Sequence, residues 1–370
     1  MYIILYIIYR YVYCLRHHLK FTEQEDPWLC FKYYKECTAK NKKSLWRVLC
    51  DIERLLQYWH RFPDTYFIFC HWLKEYDNFK QIKSFLPQRN YDLACQRGEI
   101  ISSKYNIIIN DKIVFHELMS YYGIPVSKMI LIYKNQHFII GNNIVKEDRV
   151  NELLKSHEGD RIYVKLPSAG AAKGVFVMIR ENGVWMMNGK EVEAAMLKDT
   201  FGSNDMFMES RLHQEPVLRA FNPDTINTIR ILTRNKDSKI DIVSAAVRFG
   251  RKGQYVDNMH AGGLAASVNI KTGKIESYAG RRFDPTKYEE HPDSHLRFEG
   301  VQIPQWDEIK QLVYKTLLLL PPYFSVGFDI VTTENGPLIL EINSGAGMDL
   351  AQVGKNWGIA DVFYPIPPNV

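Results

Sequence analysis

Three oxygen-bearing side chains stand close together near the end of the sequence: Asp329 in VGFDIV, and Glu341 with Asn343 in LILEIN. Side chains alternate across a strand, so Glu341 and Asn343 share one face, and a hairpin turn at Asn335-Gly336 would bring Asp329 opposite them. Carboxylates inside apolar strands are costly unless something positive meets them. Hard oxygen donors favour Mg²⁺ bridged to nucleotide phosphates; satisfaction by arginine or backbone is the alternative.

A second candidate lies in IYVKLPSAGAAKGVFVM, where a strand ends in Lys165, small residues run from Ser168 to Gly174, and a second strand begins at Val175. Small residues let backbone N–H groups approach phosphate oxygens, and Lys165 and Lys173 add positive charge. The run departs from G-x-x-x-x-G-K-[ST] and leads into a strand, so the geometry it suggests is a strand–loop–strand cover over a nucleotide. Hairpins use the same residues.

These residues need elements to hold them. From about residue 96 the sequence alternates short β-type runs (IIIN at 107–110, ILIYK at 130–134, RIYVK at 161–165, GVFVMI at 174–179) with amphipathic helical segments at 111–122 and 147–157. DIVSAAVRFG (241–250), LAASVNI (264–270), a helix at 305–319, VGFDIVTT (326–333) and PLILEIN (337–343) follow. Strand-rich order with single helices predicts an α+β architecture. Residues 1–95 read instead as a helical accessory region, with helical spacing of Trp46, Leu49, Ile52, Leu55, Leu56 and Trp59 predicting a core-facing stripe.

With 370 residues, 46% hydrophobic and 24% charged, and a mean hydropathy of −0.26, the chain is globular and long enough for two or three packed units. Its net charge of +5 arises from 47 basic and 42 acidic residues without a long basic run, so no nucleic-acid partner is expected. The six cysteines (Cys14, Cys30, Cys37, Cys50, Cys70, Cys95) include no C-x-x-C pair, which argues against a zinc ribbon or redox dithiol and for free thiols in a reducing compartment. MYIILYIIYRYVYCL is interrupted by Arg10 and falls short of the ~20 apolar residues of a membrane span. It is expected to be a buried or interfacial segment, giving a cytoplasmic protein with peripheral contact at the inner face of the membrane as a further option. No G-x-S-x-G or Cys/His pattern supports a nucleophilic hydrolase.

Taken in order, DKIVFHELMSYYGIPVSK, MFMESRL, INTIRILT, AAVRFG, YVDNMHAGGLAASVNIKTGKI, HPD, IPQW and VGFDIVTTENGPLILEINSGAGMDLAQ resemble the sugar-transfer-associated family of the ATP-grasp superfamily over roughly residues 100–355. The resemblance implies two α+β lobes clasping ATP, here with a helical N-terminal extension. The implied division is 1–95 helical accessory region, 96–160 preceding subdomain, 161–210 small lobe with the phosphate-covering loop, and 211–370 C-terminal lobe with the metal site. It implies that Lys112, Lys165, Lys173 and Gly174 meet ATP phosphates, that Met208 and Glu209 hold adenine, and that Asp329, Glu341 and Asn343 bind Mg²⁺. Arg230 and Arg248 would meet the transferring phosphate. Two departures are Ala171-Ala172, where glycines are usual, and Glu215, where a His is usual and which is carried as a ribose contact. Asn227, Asp257, Asn258, His260 and Arg282 are polar groups that could meet a substrate, although a lone His is commonly just solvated or capping.

The implied activity is an ATP- and Mg²⁺-dependent carboxylate–amine ligase acting through an acyl-phosphate. Its partners would be ATP, an amino acid or amine, and a sugar carboxylate in surface-polysaccharide assembly. The alternatives are a kinase-like phosphotransferase and a non-catalytic nucleotide-binding scaffold for glycosyltransferases.

Overall fold

The structure, a computed structural model, describes residues 27–98, 105–168, 175–237, 239–259 and 262–364. Lys173, Gly174, His260 and the apolar segment at 1–20 lie outside the described residues.

The first sheet has eight antiparallel strands: β1 (Met129–Lys134), β2 (His137–Ile140), β3 (Asn143–Val145), β4 (Arg161–Lys165), β5 (Val175–Glu181), β6 (Val184–Met187), β7 (Lys190–Glu191) and β8 (Met206–Ser210), in the order β3-β2-β1-β8-β4-β5-β6-β7. One sheet therefore spans both sides of residue 160. In RIYVK the buried residues are Ile162 and Val164, the alternation expected of a sheet covered on one face. Helices Glu147–Ser156 and Ala194–Phe201 supply that cover, and Val150, Leu154, Leu197 and Phe201 pack with Leu131, Val164, Met178 and Met208.

The second sheet has six antiparallel strands, β9 (Ile229–Lys236), β10 (Lys239–Phe249), β11 (Leu264–Val268), β12 (Ile275–Gly280), β13 (Ser325–Thr333) and β14 (Gly336–Asn343), in the order β12-β11-β10-β9-β13-β14. Every residue of β13 is buried, because helix Trp306–Leu319 and the N-terminal region cover this lobe from different sides. The β13–β14 turn uses Gly336 at φ +108, a conformation that favours glycine, and the resulting register sets Asp329 opposite Glu341 and Gly327 opposite Asn343.

Among the described residues the N-terminal region is helical, with its longest helix at Leu45–Trp59. Ser44 caps it by accepting from Arg47 N, and His60 in the left-handed region ends it. Ile52, Leu55, Leu56 and Trp59 form the expected buried stripe and Leu49 lies at its margin, whereas Trp46 is 70% exposed, one position past Leu45, which packs on that stripe with Val48. Cys70 and Cys95 are buried and Cys37 and Cys50 partly so, all four as free thiols. The IIIN run at 107–110 is a helical turn, Asn106–Asn110, rather than the expected strand: Ile109 packs into the second-lobe core, Ile107 points to solvent, and packing overrides the β preference of isoleucine. Among the described residues, no helix is long and apolar enough to cross a membrane.

Candidate active site

A cleft of about 360 Å³ runs between the two sheets. Each wall is built by local rules. Asp111 caps helix Lys112–Tyr121 by accepting from Ile113 N (2.9 Å) and Val114 N (3.1 Å), so that Lys112 and, one turn on, His116 both reach the cleft. Lys165 is the last residue of β4 and pairs in register with Phe207, which puts it beside Glu209 of β8. Glu209 is 3% exposed.

Lys165 Nζ lies 2.5 Å from Glu209 Oε2, while Ser127 Oγ donates to Glu209 Oε1 and His116 Nε2 stands 3.8 Å from the same oxygen. The His116 ring also bridges Ser127 O (3.0 Å, Nδ1) and Leu340 O (3.2 Å, Nε2). Burial works to raise the Glu209 carboxyl, but Lys165 and then His116 outweigh it and hold the group below its ordinary value. Burial likewise works against the Lys165 ammonium, and Glu209 outweighs it in the other direction.

At the second sheet, Arg230 donates to Asp329 from Nε (2.5 Å, Oδ1) and Nη2 (3.1 Å, Oδ2), and Arg248 Nη2 donates to Oδ2 at 3.0 Å. Arg248 Nε donates to Thr228 Oγ1 (2.7 Å) and lies 3.3 Å from Asp257 Oδ2, which accepts from Thr228 N (2.8 Å) and Thr228 Oγ1 (2.5 Å). Burial disfavours the Arg248 charge, but Asp257, Asp329 and Glu341 together raise its pKa. Asp329 is held well below the usual carboxylate range: burial pushes it up, and Arg230 and Arg248 more than reverse this. Glu341 lies 3.3 Å from Lys112 Nζ and accepts from Asn343 Nδ2 at 3.1 Å.

Of the residues singled out in the sequence, Lys112, Lys165, Glu209, Arg230, Arg248, Asp257, Asn258, Asp329, Glu341 and Asn343 line this one cleft. The remaining described ones lie elsewhere. Met208 is buried in the first-lobe core, between Leu131 of β1 and Val164 of β4. Glu215 precedes the short helix Pro216–Arg219 and accepts from Gln305 Nε2 at 3.3 Å, away from the cleft lining. Asn227 is fully buried and structural: Nδ2 donates to Leu218 O (2.9 Å), Oδ1 accepts from Gly250 N (3.1 Å), and its backbone pairs with Gln214. Arg282 lies behind the wall, 3.7 Å from Asp349. His116, Ser127, Thr228 and Asp349 carry site contacts that the sequence reading did not single out; the i, i+4 spacing of His116 from Lys112 was the available signal for the first.

The donor chemistry fits Mg²⁺. Among the described residues no three His, Cys, Asp or Glu side chains form a metal cluster, so a cation here would take two carboxylates and the Asn343 amide oxygen. Three guanidinium N–H groups occupy three of the roughly four lone-pair sites on Asp329, leaving one on Oδ1, and Glu341 keeps free acceptor capacity. Charge balance points the same way. The described lining holds Lys112, Lys165, Arg230 and Arg248 against Glu209, Asp257, Asp329, Glu341 and Asp349. These side chains already neutralise one another, so they leave no net positive charge to offset a polyanionic ligand, a balance that a divalent cation would supply.

Among solved structures, the chain is similar to a D-alanine–D-alanine ligase from Bacillus anthracis (14% identity, 65% of this chain and 58% of that one, TM-score 0.36). It is also similar to a D-alanyl-alanine synthetase A from Vibrio cholerae (12%, 71% and 61%, TM-score 0.39) and to an N5-carboxyaminoimidazole synthetase from Staphylococcus aureus complexed with ADP (11%, 71% and 52%, TM-score 0.39). The chain thus spans between about half and three-fifths of the length of these structures. No curated protein matches it. A family model, sugar-transfer associated ATP-grasp, matches residues 98–364, which contain both sheets and every residue of the cleft, and the chain belongs to that family.

Proposed function

We propose that the chain is an Mg·ATP-dependent carboxylate–amine ligase. The observation that carries the reading is the convergence in one cleft of the Lys112, Lys165 and Glu209 group with the Arg230–Asp329–Arg248 cluster and the Glu341–Asn343 pair. Lys112 and Lys165 bind the phosphates, each released from a carboxylate partner as the nucleotide enters. Leu212, just past Glu209, and Phe207 offer apolar surface to the base, and Lys173 and Gly174, outside the described residues, would cover the phosphates. Asp329, Glu341 and Asn343 hold Mg²⁺, which when bound offsets charge on the phosphates.

A carboxylate oxygen of the first substrate attacks the γ-phosphorus, ADP leaves, and a C–O–P bond forms. The amine of the second substrate then attacks the acyl carbon and loses a proton, the C–O bond breaks, and phosphate departs with the former carboxylate oxygen. Arg248, held from two sides by Thr228 and Asp329, presents fixed positive charge where oxyanion charge builds, so no reorganisation is needed at the moment of reaction. Asp257 and Asn258, which line the cleft, would meet the acceptor. For a member of this family, we propose an amino acid or amine joined to a sugar carboxylate in surface-polysaccharide assembly, in the cytoplasm at the inner face of the membrane.

The test is ADP release with Mg·ATP, pooled amino acids and pooled sugar uronates, followed by mass spectrometry, with Glu341→Gln as blank. A product lighter by one water than two substrates together supports the ligase. A phosphorylated product from one pool supports a phosphotransferase, and nucleotide binding without turnover supports a scaffold.

A further inference from the structure

The segment after β14, residues 344–350, forms the cleft wall just beyond Asn343 and runs into the short helix Met348–Gln352; from Gly345 to Asp349 its residues alternate between two sides, and Leu350 returns to the cleft. Gly345, Gly347 and Asp349 face the cleft. Ala346 (2% exposed) and Met348 (1% exposed) turn the other way, into the aromatic core of the N-terminal helices with Trp59, Tyr91 and Phe363.

The backbone on that far side is gripped by one amide. Gln88, the first residue of helix Gln88–Gly98, accepts from Met348 N at 2.8 Å through Oε1 and donates from Nε2 to Ala346 O at 3.2 Å. It thereby meets the loop as a neighbouring strand would. Nε2 donates also to Asp92 Oδ1 at 3.0 Å, one turn along the same helix; a carboxylate only accepts, so Asp92 fixes which end of the amide faces which backbone group. A reciprocal fork closes the arrangement: Gln352 accepts from Leu86 N (2.7 Å) and Ile359 N (3.2 Å) and donates to Leu86 O and Met348 O (both 3.1 Å). The room behind the loop is tight, since a Cβ on Gly327 of β13 would meet Ala346 Cβ at 2.9 Å. The loop cannot move away from the helices without breaking these bonds, and Ala346 already lies close against Gly327.

We infer that Gln88, oriented by Asp92, is a positioning residue for the acceptor end of the cleft, and that the helical N-terminal region thereby sets the shape that the second substrate meets. The inference rests on the ligase reading for the word acceptor, because this wall lies past the phosphate and metal residues. The arrangement of Gln88 and the loop does not depend on that reading. A merely structural role would lower stability and leave substrate preference alone.

The test compares wild type with Gln88→Met, which keeps the side-chain length and removes the two hydrogen bonds to the loop together with the one to Asp92, and with Asp92→Asn, which keeps the packing and releases the amide orientation. Binding of Mg²⁺ with a fluorescent ATP analogue should stay within about twofold. The half-saturating concentration of a defined mixture of the twenty amino acids with glucuronate and galacturonate, read by ADP release, should rise at least about tenfold in Gln88→Met and less in Asp92→Asn, with a smaller change in kcat. An unchanged half-saturation, or nucleotide affinity falling in step with it, overturns the inference. If wild type shows no acceptor-dependent turnover, the ligase reading fails on its own. The positioning claim is then read from amide hydrogen exchange with Mg²⁺ and a non-hydrolysable ATP analogue bound: residues 344–350 should exchange at least about tenfold faster in Gln88→Met, with β13 and β14 unchanged, and equal exchange in the two proteins overturns it.

Discussion

Asp329 and Glu341 are register partners that line the same cleft, and they differ in what removing their charge should do. Asp329 is 2% exposed and carries two arginines, so Asp329→Asn leaves two buried guanidinium groups undercompensated; a loss of about 3–5 kcal/mol is expected in urea denaturation. Glu341, partly exposed and bonded to Lys112 and Asn343, should cost under about 1 kcal/mol as Gln while turnover falls at least about a hundredfold. A second contrast is in pH. His71 is fully buried among Tyr66, Phe69, Tyr76 and Phe85 with no hydrogen-bond partner among the described residues on either ring nitrogen, and burial first, then Lys43, push its pKa down to about 3. The unfolded chain takes up that proton near pH 6.5 and the folded one does not, so the contribution is full above about 6.5 and is lost as pH falls toward 3 at up to about 1.4 kcal/mol per unit. For Asp329 and Glu209 the folded pKa is also depressed, but from the carboxylate range, so their loss begins only below about pH 4–5. Unfolding free energies of His71→Leu across pH 3–7 should therefore be flatter than wild type between 6.5 and 4, and parallel slopes there would count against a neutral buried His71.

The β13–β14 hairpin was legible in the sequence because three local signals agree: apolar runs of strand length, an Asn-Gly turn, and the polar pair Glu341 and Asn343 at a spacing of two. IIIN misled because three β-branched residues outweigh the capping Asp111 that follows, and only packing on the second lobe decides between turn and strand. Asn227 misled for a different reason: its partners are Gln214, Leu218 and Asn222 in the stretch before it and Gly250 beyond the next two strands, and no periodic pattern announces such a network. The register itself can be tested. Insertion of one Ala between Leu338 and Ile339 would move Glu341 and Asn343 to the opposite face of β14. Nucleotide-dependent turnover should be abolished while circular dichroism keeps its strand signal; retained turnover would mean that these two side chains do not act from the face assigned to them.

For the whole molecule, the N-terminal helices and the second lobe share one core, in which Trp59 and Tyr91 pack with Leu232, Met348 and Phe363. Tyr91 Oη donates to Ser325 Oγ at 3.0 Å, and a Cβ on Gly358 would strike Ser84 O at 2.2 Å. The sequence marked residues 1–95 as helical but gave no sign of this merger, since packing partners some 250 residues apart leave no spacing to read. Removal of residues 1–95 should expose that core and yield an aggregated product. The full chain should show these helices and the second lobe melting in a single cooperative transition by calorimetry; a separate transition for the N-terminal region would argue that it is an appended domain.

The central claim is that the cleft transfers phosphate to a carboxylate and then gives that oxygen up to the departing phosphate. We would supply the protein with Mg·ATP and the amino-acid and uronate pools carrying ¹⁸O in their carboxylates, and weigh the inorganic phosphate released. The account expects one ¹⁸O in each phosphate, dependent on both pools and absent with Glu341→Gln. Phosphate free of label alongside ADP release, or phosphate retained on a hydroxyl of either substrate, would contradict it.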